Sequence, residues 1–163
     1  MNDFMVKTQV LDIQSFLENT IIQFESYINT VTIQGLLEEK YGDKAYYEGL
    51  LSNLRRLLVY CEEGLDACGM IVQNEPFQKG AAERILYKIY HKCIEEYYSP
   101  RYNLWFEDRR ISYPEGSCIR FRQEPPGCFA SLLKSVEGEF HSMREELIEF
   151  EIEYRNQRLK SKE

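Results

Sequence analysis

Several features that define common protein classes are missing from this sequence of 163 residues. It contains two histidines, so a zinc site with three histidine ligands is excluded. It has no glycine-rich phosphate-binding loop, no His-Glu-x-x-His helix and no Gly-x-Ser-x-Gly turn. Neither histidine follows a glutamate at the three-residue spacing of di-iron helical bundles. These absences favour a protein that is not an enzyme and predict neither a metal site nor a cofactor.

Paired cysteines, positive charge and long apolar runs are also missing. The five cysteines form no Cys-x-x-Cys pair, which is typical of reduced thiols in the cytoplasm. A net charge of −7 disfavours nucleic acid and anionic membrane surfaces as partners, because both attract basic proteins. No apolar run reaches the roughly 20 residues that span a bilayer, and the first residues do not have the pattern of a secretory signal. We therefore expect a cytoplasmic protein without a membrane partner.

A helical repeat dominates the sequence that is present. Apolar residues recur at alternating steps of three and four over 10–31, 47–72, 82–97 and 129–154, which places them on one face of each helix. Short connections between helices favour antiparallel neighbours. The pattern predicts an all-α protein with one domain over 1–163, an antiparallel four-helix bundle. A β-branched run at 30–33 predicts a kink or an early end of the first helix, and the tail over 158–163 is expected to fray.

Residues 99–124 interrupt the helical pattern. Pro100 ends the third helix, and Pro114 and Gly116 are suited to a turn. Ile119 and Phe121 alternate with polar neighbours, which is the spacing of a strand. We expect a short β-hairpin or an ordered crossover inserted between helices three and four, because a structureless loop of this length is unusual in a compact domain.

Three of the five cysteines, Cys61, Cys68 and Cys93, fall on the apolar stripes. They are interpreted either as a buried metal or redox cluster or as small core residues, and the missing metal-ligand spacing favours the core. Cys118 and Cys128 lie in or beside the crossover and are candidates for more reactive thiols.

A polar row follows the third helix. Tyr87, His91 and Glu95 are four residues apart and share one face. Such a row can relay a proton or bind an anion, but a solvated face or a satisfied polar network is the commoner explanation, and we favour it.

Candidate binding residues concentrate in the inserted segment. Between 99 and 122, five arginines and the single tryptophan stand beside three acidic residues. Arginine next to aromatic rings suits stacking on a planar or anionic ligand, such as a phosphate group or an exposed base. The fourth helix carries seven glutamates between 137 and 153, and pairing of the arginines with that helix is the alternative we prefer. The candidates are Trp105, Arg109, Arg110, Tyr113, Arg120 and Arg122.

Three stretches of the chain resemble a known family. They are residues 46–64 (YYEGLLSNLRRLLVYCEEG), 89–96 (IYHKCIEE) and 143–147 (MREEL), and they are similar to the YpuI-like family of small proteins of Bacillus and relatives. The resemblance covers nearly the whole chain and implies a bacterial, cytoplasmic setting. It implies no activity, cofactor or site residue.

Two functions from different classes fit the sequence. The first is a non-enzymatic helical bundle that binds a protein partner or forms a homo-oligomer, since binding surfaces concentrate aromatic residues and the chain has 12 tyrosines and nine phenylalanines. The second is a binder of a small molecule or anionic ligand, or an enzyme acting on one, with a pocket between the bundle and the aromatic, arginine-rich insertion. The row of Tyr87, His91 and Glu95 beside that insertion motivates this second function. The sequence favours the first.

Overall fold

The computed structural model describes residues 2–113 and 115–161; of residues 154, 158 and 161 it describes the backbone alone. The fold is mostly helical, at 77%, with one small two-stranded antiparallel sheet. In chain order the elements are α1 (Asp3–Thr30), α2 (Ile33–Glu39), α3 (Lys44–Gln73), α4 (Lys79–Ile89), a π-helical turn (Tyr90–Ile94), α5 (Glu95–Tyr98), a 3-10 turn (Arg101–Asn103), β1 (Trp105–Glu107), β2 (Ile119–Phe121) and α6 (Gly127–Ser161).

Side-chain caps mark where the first helices begin. The Asn2 side chain accepts a hydrogen bond from the backbone N–H of Met5 at 2.8 Å, and Asp43 accepts one from Tyr46 at 2.9 Å. The predicted early end of the first helix is confirmed, because α1 stops at Thr30. A further short helix, α2, begins after Thr32, whose hydroxyl accepts a hydrogen bond from the backbone N–H of Gly35. The sequence pattern did not separate this helix from the first one.

The apolar stripes of the helices meet in one core. Helix α1 contacts α3, α4 and α6. The Phe140 ring of α6 lies 4.9 Å from Phe16 and stacks 4.0 Å from Tyr97, measured between ring centroids. Burying such aromatic side chains supplies much of the stability of a domain this size.

The third predicted helix contains a π turn that its sequence pattern did not indicate. The turn, Tyr90–Ile94, joins α4 to α5 in a continuous helical run over 79–98. A π turn contains one residue more than an α-helical turn, so it rotates the side chains that follow it to a different face of the helix. His91 lies in this turn, and Cys93 is buried there.

The predicted β-hairpin is present within residues 99–124, called the crossover below. Strands β1 and β2 are antiparallel, with Trp105 opposite Phe121. The Trp105 indole N–H donates to the backbone oxygen of Tyr97 at 2.7 Å, which attaches β1 to α5. The buried Glu137 carboxylate of α6 accepts from the Ser117 hydroxyl at 2.6 Å and from the Cys118 N–H at 2.8 Å. These bonds fix the crossover against both helices.

The last helix spans 35 residues and ends at Ser161. The tail expected to fray over 158–163 therefore overlaps the end of α6, and its last two residues lie outside the described residues. Across the described part of the chain, no helix combines the length and the apolar character needed to cross a membrane.

The five cysteines are free thiols, and four of them are buried. Burial raises the pKa of Cys68 to about 12. A hydrogen bond with Cys61, together with burial, raises the pKa of Cys93. Cys118, a candidate for reactivity in the sequence, is also buried; its thiol donates to the Ile111 oxygen at 3.2 Å, and burial raises its pKa. Cys128 is exposed.

Thiol labelling of the native protein should therefore detect one fast-reacting thiol per chain. Cys128 reacts first because a thiolate is the reactive form and the other thiols are buried. A colorimetric disulfide reagent at pH 8 should find one thiol in buffer and five in denaturant. Cys128→Ser should remove the fast thiol, and two or more fast thiols in the wild type would contradict the assignment.

Candidate functional site

A pocket of about 400 Å³ lies where the crossover meets the helices, and it is called the crossover pocket below. The π turn and α5 form one side, the end of β1 forms the second, and α6 forms the third. Its lining includes His91 and five charged residues, which are Glu95, Glu96, Glu107, Arg109 and Arg144. The volume lies within the range of small-molecule sites.

Two residues of the predicted polar row, His91 and Glu95, line this pocket, and the third, Tyr87, lies against His91. The ring centroids of Tyr87 and His91 are 4.4 Å apart, and Nδ1 of His91 lies 3.1 Å from Oε1 of Glu95. The four-residue spacing predicted that these side chains share a face, and they do. The second functional hypothesis placed this row beside a pocket between the bundle and the crossover, and His91 and Glu95 line a pocket there.

A second carboxylate approaches His91 from α6. Oε1 of Glu151 lies 3.7 Å from Nε2 of His91, beyond hydrogen-bonding distance. Nε2 is buried and has no hydrogen-bond partner among the described residues. Glu151, itself buried, also pairs with Arg155. The imidazole therefore lies between carboxylates from two helical segments.

The opposite wall is an ion pair that the sequence analysis missed. The Arg144 guanidinium of α6 makes two contacts with the Glu107 carboxylate of β1, at 2.9 and 2.8 Å. The same guanidinium lies over the Tyr98 ring, 3.8 Å from its centroid. This stacked, two-point pair is a geometry that arginine favours and lysine cannot reproduce. The prediction had glutamates on the last helix and arginines in the crossover, but here the arginine belongs to the helix.

Tyr98 is a buried residue of the pocket lining. Tyr98 is 4% exposed, and its hydroxyl has no hydrogen-bond partner within residues 2–113 and 115–161. Burial raises the pKa of this hydroxyl, so it stays protonated at neutral pH and can donate. Buried hydroxyls nearly always have a partner, so an unpaired one beside a pocket is a sign of a ligand or water site.

Arg109 supplies the unmatched charge of the pocket. It is exposed at the end of the strand, and no side chain or backbone group of the described residues is bonded to it or paired with it. Its neighbour Arg110 differs: the Arg110 guanidinium donates two bonds of 3.0 Å to Asp108. Those bonds hold the pKa of Asp108 at about 2.

The other arginine candidates are bonded inside the crossover. Arg120 donates to the backbone oxygens of Ser117 and Ile119, at 2.9 and 3.0 Å. Arg122 donates to the Asn103 oxygen at 3.2 Å and lies over the Phe106 ring. Local pairing was expected, but the preferred partner, the acidic last helix, is wrong for these two residues. Backbone oxygens within the crossover accept their hydrogen bonds, and a count of charges could not indicate that.

The aromatic candidates do not line the pocket. Trp105 is fully buried and lies against Phe129, with ring centroids 5.7 Å apart. The Tyr113 ring lies 4.8 Å from the His141 ring on α6. Both side chains support the crossover instead of facing a ligand, so of the crossover candidates Arg109 alone belongs to the pocket lining.

The described residues contain no group of three His, Cys, Asp or Glu side chains placed to hold a metal ion. The chemistry available in the crossover pocket is therefore that of an unmatched guanidinium, an imidazole and a buried hydroxyl. Sequence reasoning missed Arg144, Glu107 and Tyr98 because each is ordinary in its local context. Only the packing of α6 and β1 on α5 brings the three together.

Comparisons with known proteins agree over nearly the whole chain. Residues 10–156 match the model of a family described as protein of unknown function (DUF3907). The chain is 37% identical over 151 residues to a Bacillus subtilis (strain 168) protein described as uncharacterized protein YpuI, a match that covers 93% of this chain and 84% of that protein. No solved structure matches the chain.

Proposed function

Since the chain belongs to the DUF3907 family and neither that family nor its relative YpuI brings an assigned activity, we propose from geometry that the protein binds a small anionic ligand in the crossover pocket. The resemblance seen in the sequence is thereby confirmed, while the function stands on the residues of this chain. The observation that carries the proposal is the unmatched Arg109 guanidinium at a pocket of about 400 Å³.

The charge balance of the pocket supports an anion. Two of the lining carboxylates are paired with a permanently charged arginine: Glu96 with Arg56 at 3.9 Å, and Glu107 with Arg144. The third, Glu95, contacts His91, which is charged only when it is protonated. Arg109 is a positive charge of the lining that has no partner among the described residues. A carboxylate, sulfate or phosphate group is the natural partner of an unmatched guanidinium.

The other lining residues favour a ligand that carries a second polar group and an apolar part besides its anionic group. The Tyr98 hydroxyl, which lacks a partner among the described residues, is a donor for a polar atom of the ligand, and Arg109 is the partner for its anionic group. The Tyr90 and Ile94 side chains also line the pocket and provide apolar contact for the ligand. Pockets that combine apolar walls with a few placed polar groups are typical small-molecule sites.

Removing the guanidinium should weaken anion binding at least tenfold. We expect benzoate, sulfate and inorganic phosphate to shift the backbone NMR signals of the pocket residues in the wild type at millimolar concentration. Arg109→Ala should need at least ten times more of each anion, because one charge-assisted contact is worth about 1.5–3 kcal/mol. The thermal midpoint of unfolding should not change, since the side chain is exposed and unpaired.

Arg110→Ala is the matched control for this experiment. It removes the same charge from the adjacent residue, but that guanidinium is paired with Asp108 and does not line the pocket. Its anion affinity should stay within a factor of two of the wild type. Equal losses in both variants would indicate attraction to net charge alone, and the absence of saturable shifts in the wild type would overturn the proposal.

Other predictions from the sequence stay predictions. Binding of a protein partner or a second copy is supported by exposed apolar side chains, among them Phe4 and Ile152 near opposite ends of the chain. The antiparallel four-helix arrangement is supported by the packing of α1 on α3, α4 and α6. A cytoplasmic location is supported by the absence of paired cysteines.

A further inference from the structure

The position of His91 gives the crossover pocket a titratable wall. Its Nδ1 atom lies 3.1 Å from Glu95, on the same helical run, and its Nε2 atom lies 3.7 Å from Glu151 on α6. A neutral imidazole carries one proton, so one of its nitrogens would present a lone pair to a carboxylate oxygen. Both nitrogens are complementary to their neighbours only when both carry protons.

The remaining charged and titratable groups around His91 belong to the helical run over 79–98, to the crossover and to α6. Glu96, Tyr98 and Glu107 share the pocket lining with it. Arg155 of α6 pairs with Glu151 and offsets part of its charge. The Tyr87 and Tyr90 rings lie 4.4 and 5.3 Å from the imidazole, by centroid distance. Arg109 and Arg144 belong to the same pocket lining. None of these groups other than the histidine changes charge between pH 6 and 8 in its usual range.

We propose that anion binding in the crossover pocket is coupled to the uptake of one proton by His91, so that the ligand binds more tightly as the pH falls. This inference rests on the proposed function and adds its regulation. The proton comes from solvent and converts the neutral imidazole to imidazolium; no covalent bond other than N–H forms. The imidazolium adds a positive charge beside Arg109, and the bound anion in turn favours that charge.

The sign and size of the effect follow from electrostatics. When His91 is protonated, the anion meets one more positive group than when His91 is neutral. Between the screening of bulk water and that of a protein surface, a unit charge about 6 Å from the anion changes its affinity by about threefold to a hundredfold, so we expect a change of about tenfold. By linkage, a saturating anion must shift the titration of His91 upward by about one pH unit.

The experiment measures benzoate and sulfate affinity at pH 6 and pH 8, because neither anion changes its protonation in that interval. In the wild type, affinity should be about tenfold higher at pH 6. His91→Gln should still bind both anions, with the weaker affinity, and the ratio between the two pH values should fall below twofold. Arg109→Ala should weaken binding at both pH values.

A second measurement needs no variant of the pocket. The chain has two histidines, so the ring proton signals of His91 and His141 can be followed by NMR against pH, and His141→Gln assigns them. Adding saturating sulfate should raise the titration midpoint of His91 and leave that of His141 unchanged. Equal shifts of both would indicate a general salt effect and contradict the proposal.

Glu146 requires a control, because it titrates in the same interval. Burial and a hydrogen bond with Asp12 raise the pKa of Glu146 to about 7. This pair joins α1 to α6 and does not line the crossover pocket. Glu146→Gln should keep the tenfold pH ratio, and loss of the ratio in that variant would overturn the role of His91.

The outcomes separate the two proposals. Binding that depends on Arg109 but has the same affinity at pH 6 and 8 would overturn proton coupling and leave the anion site standing. No saturable binding of either probe at pH 6 would overturn both. Binding with the expected pH ratio in the wild type and a flat profile in His91→Gln supports both.

Discussion

Leu54→Asp should remove most of the stability of the protein. Leu54 lies in the middle of α3 and is fully buried. Aspartate at this position places a charge in the core without a partner, and the same change removes the packing of a leucine. We expect a loss of more than about 4 kcal/mol, against a total of roughly 5–15 kcal/mol for a domain. Urea unfolding followed by circular dichroism measures it.

Two further variants keep that test decisive. If Leu54→Asp does not fold well enough to purify, Leu54→Ala should still lose about 2–5 kcal/mol, which a denaturation midpoint resolves. Glu149→Ala, on the exposed face of α6, should change stability by less than about 0.5 kcal/mol. Similar midpoints for Leu54→Ala and Glu149→Ala would mean that the core face of α3 has been misassigned.

Trp105→Ala should destabilise the protein by about 3–5 kcal/mol, the usual cost of removing a large buried aromatic side chain. The indole is fully buried, contacts Phe129 and donates to the Tyr97 oxygen at 2.7 Å. The truncation leaves a cavity and a backbone oxygen without this donor. Because Trp105 fixes β1, the crossover pocket should lose anion binding in parallel.

Tyr102→Ala is the control within the same segment. Tyr102 is also an aromatic residue of the crossover, but it is 76% exposed. Its removal should leave the urea midpoint and anion binding unchanged. Circular dichroism is the appropriate probe for both variants, because Trp105 is the only tryptophan and its replacement removes the fluorescence signal. A Trp105→Ala protein as stable as the wild type would contradict the anchoring role.

The helices could be predicted because the apolar repeat of each helix lies within its own sequence. Residues such as Val10, Ile13 and Leu17 recur at helical steps, and burial of that face is a local consequence of the repeat. The end of α1 at Thr30 was also predictable, since β-branched residues lower helix propensity over a short stretch. The hairpin followed from strand spacing at Ile119 and Phe121.

The site could be predicted only in part, for a physical reason. The polar row of Tyr87, His91 and Glu95 depends on spacing within one helix, and that information is local. The partners that α6 contributes, Glu151 and Arg144, depend on how that helix lies against the π turn. Whether an arginine is free or paired is also decided by packing, so the sequence could not distinguish Arg109 from Arg110. For the same reason the sequence favoured a protein-binding bundle, whereas our proposal of a ligand-binding pocket comes from the packing.

Because of the π turn, both the core and the pocket depend on the number of residues in this helical run. Tyr97 stacks on Phe140 in the core, and Tyr98 stacks under Arg144 at the pocket. Deleting one residue from Tyr90–Ile94 would restore an ordinary helix and rotate the following segment by about 100°. Both tyrosines would then leave their partners. Relatives that keep this pocket must therefore keep the number of residues between Ile89 and Glu95, so gaps in an alignment should fall outside this segment even where the residue types differ.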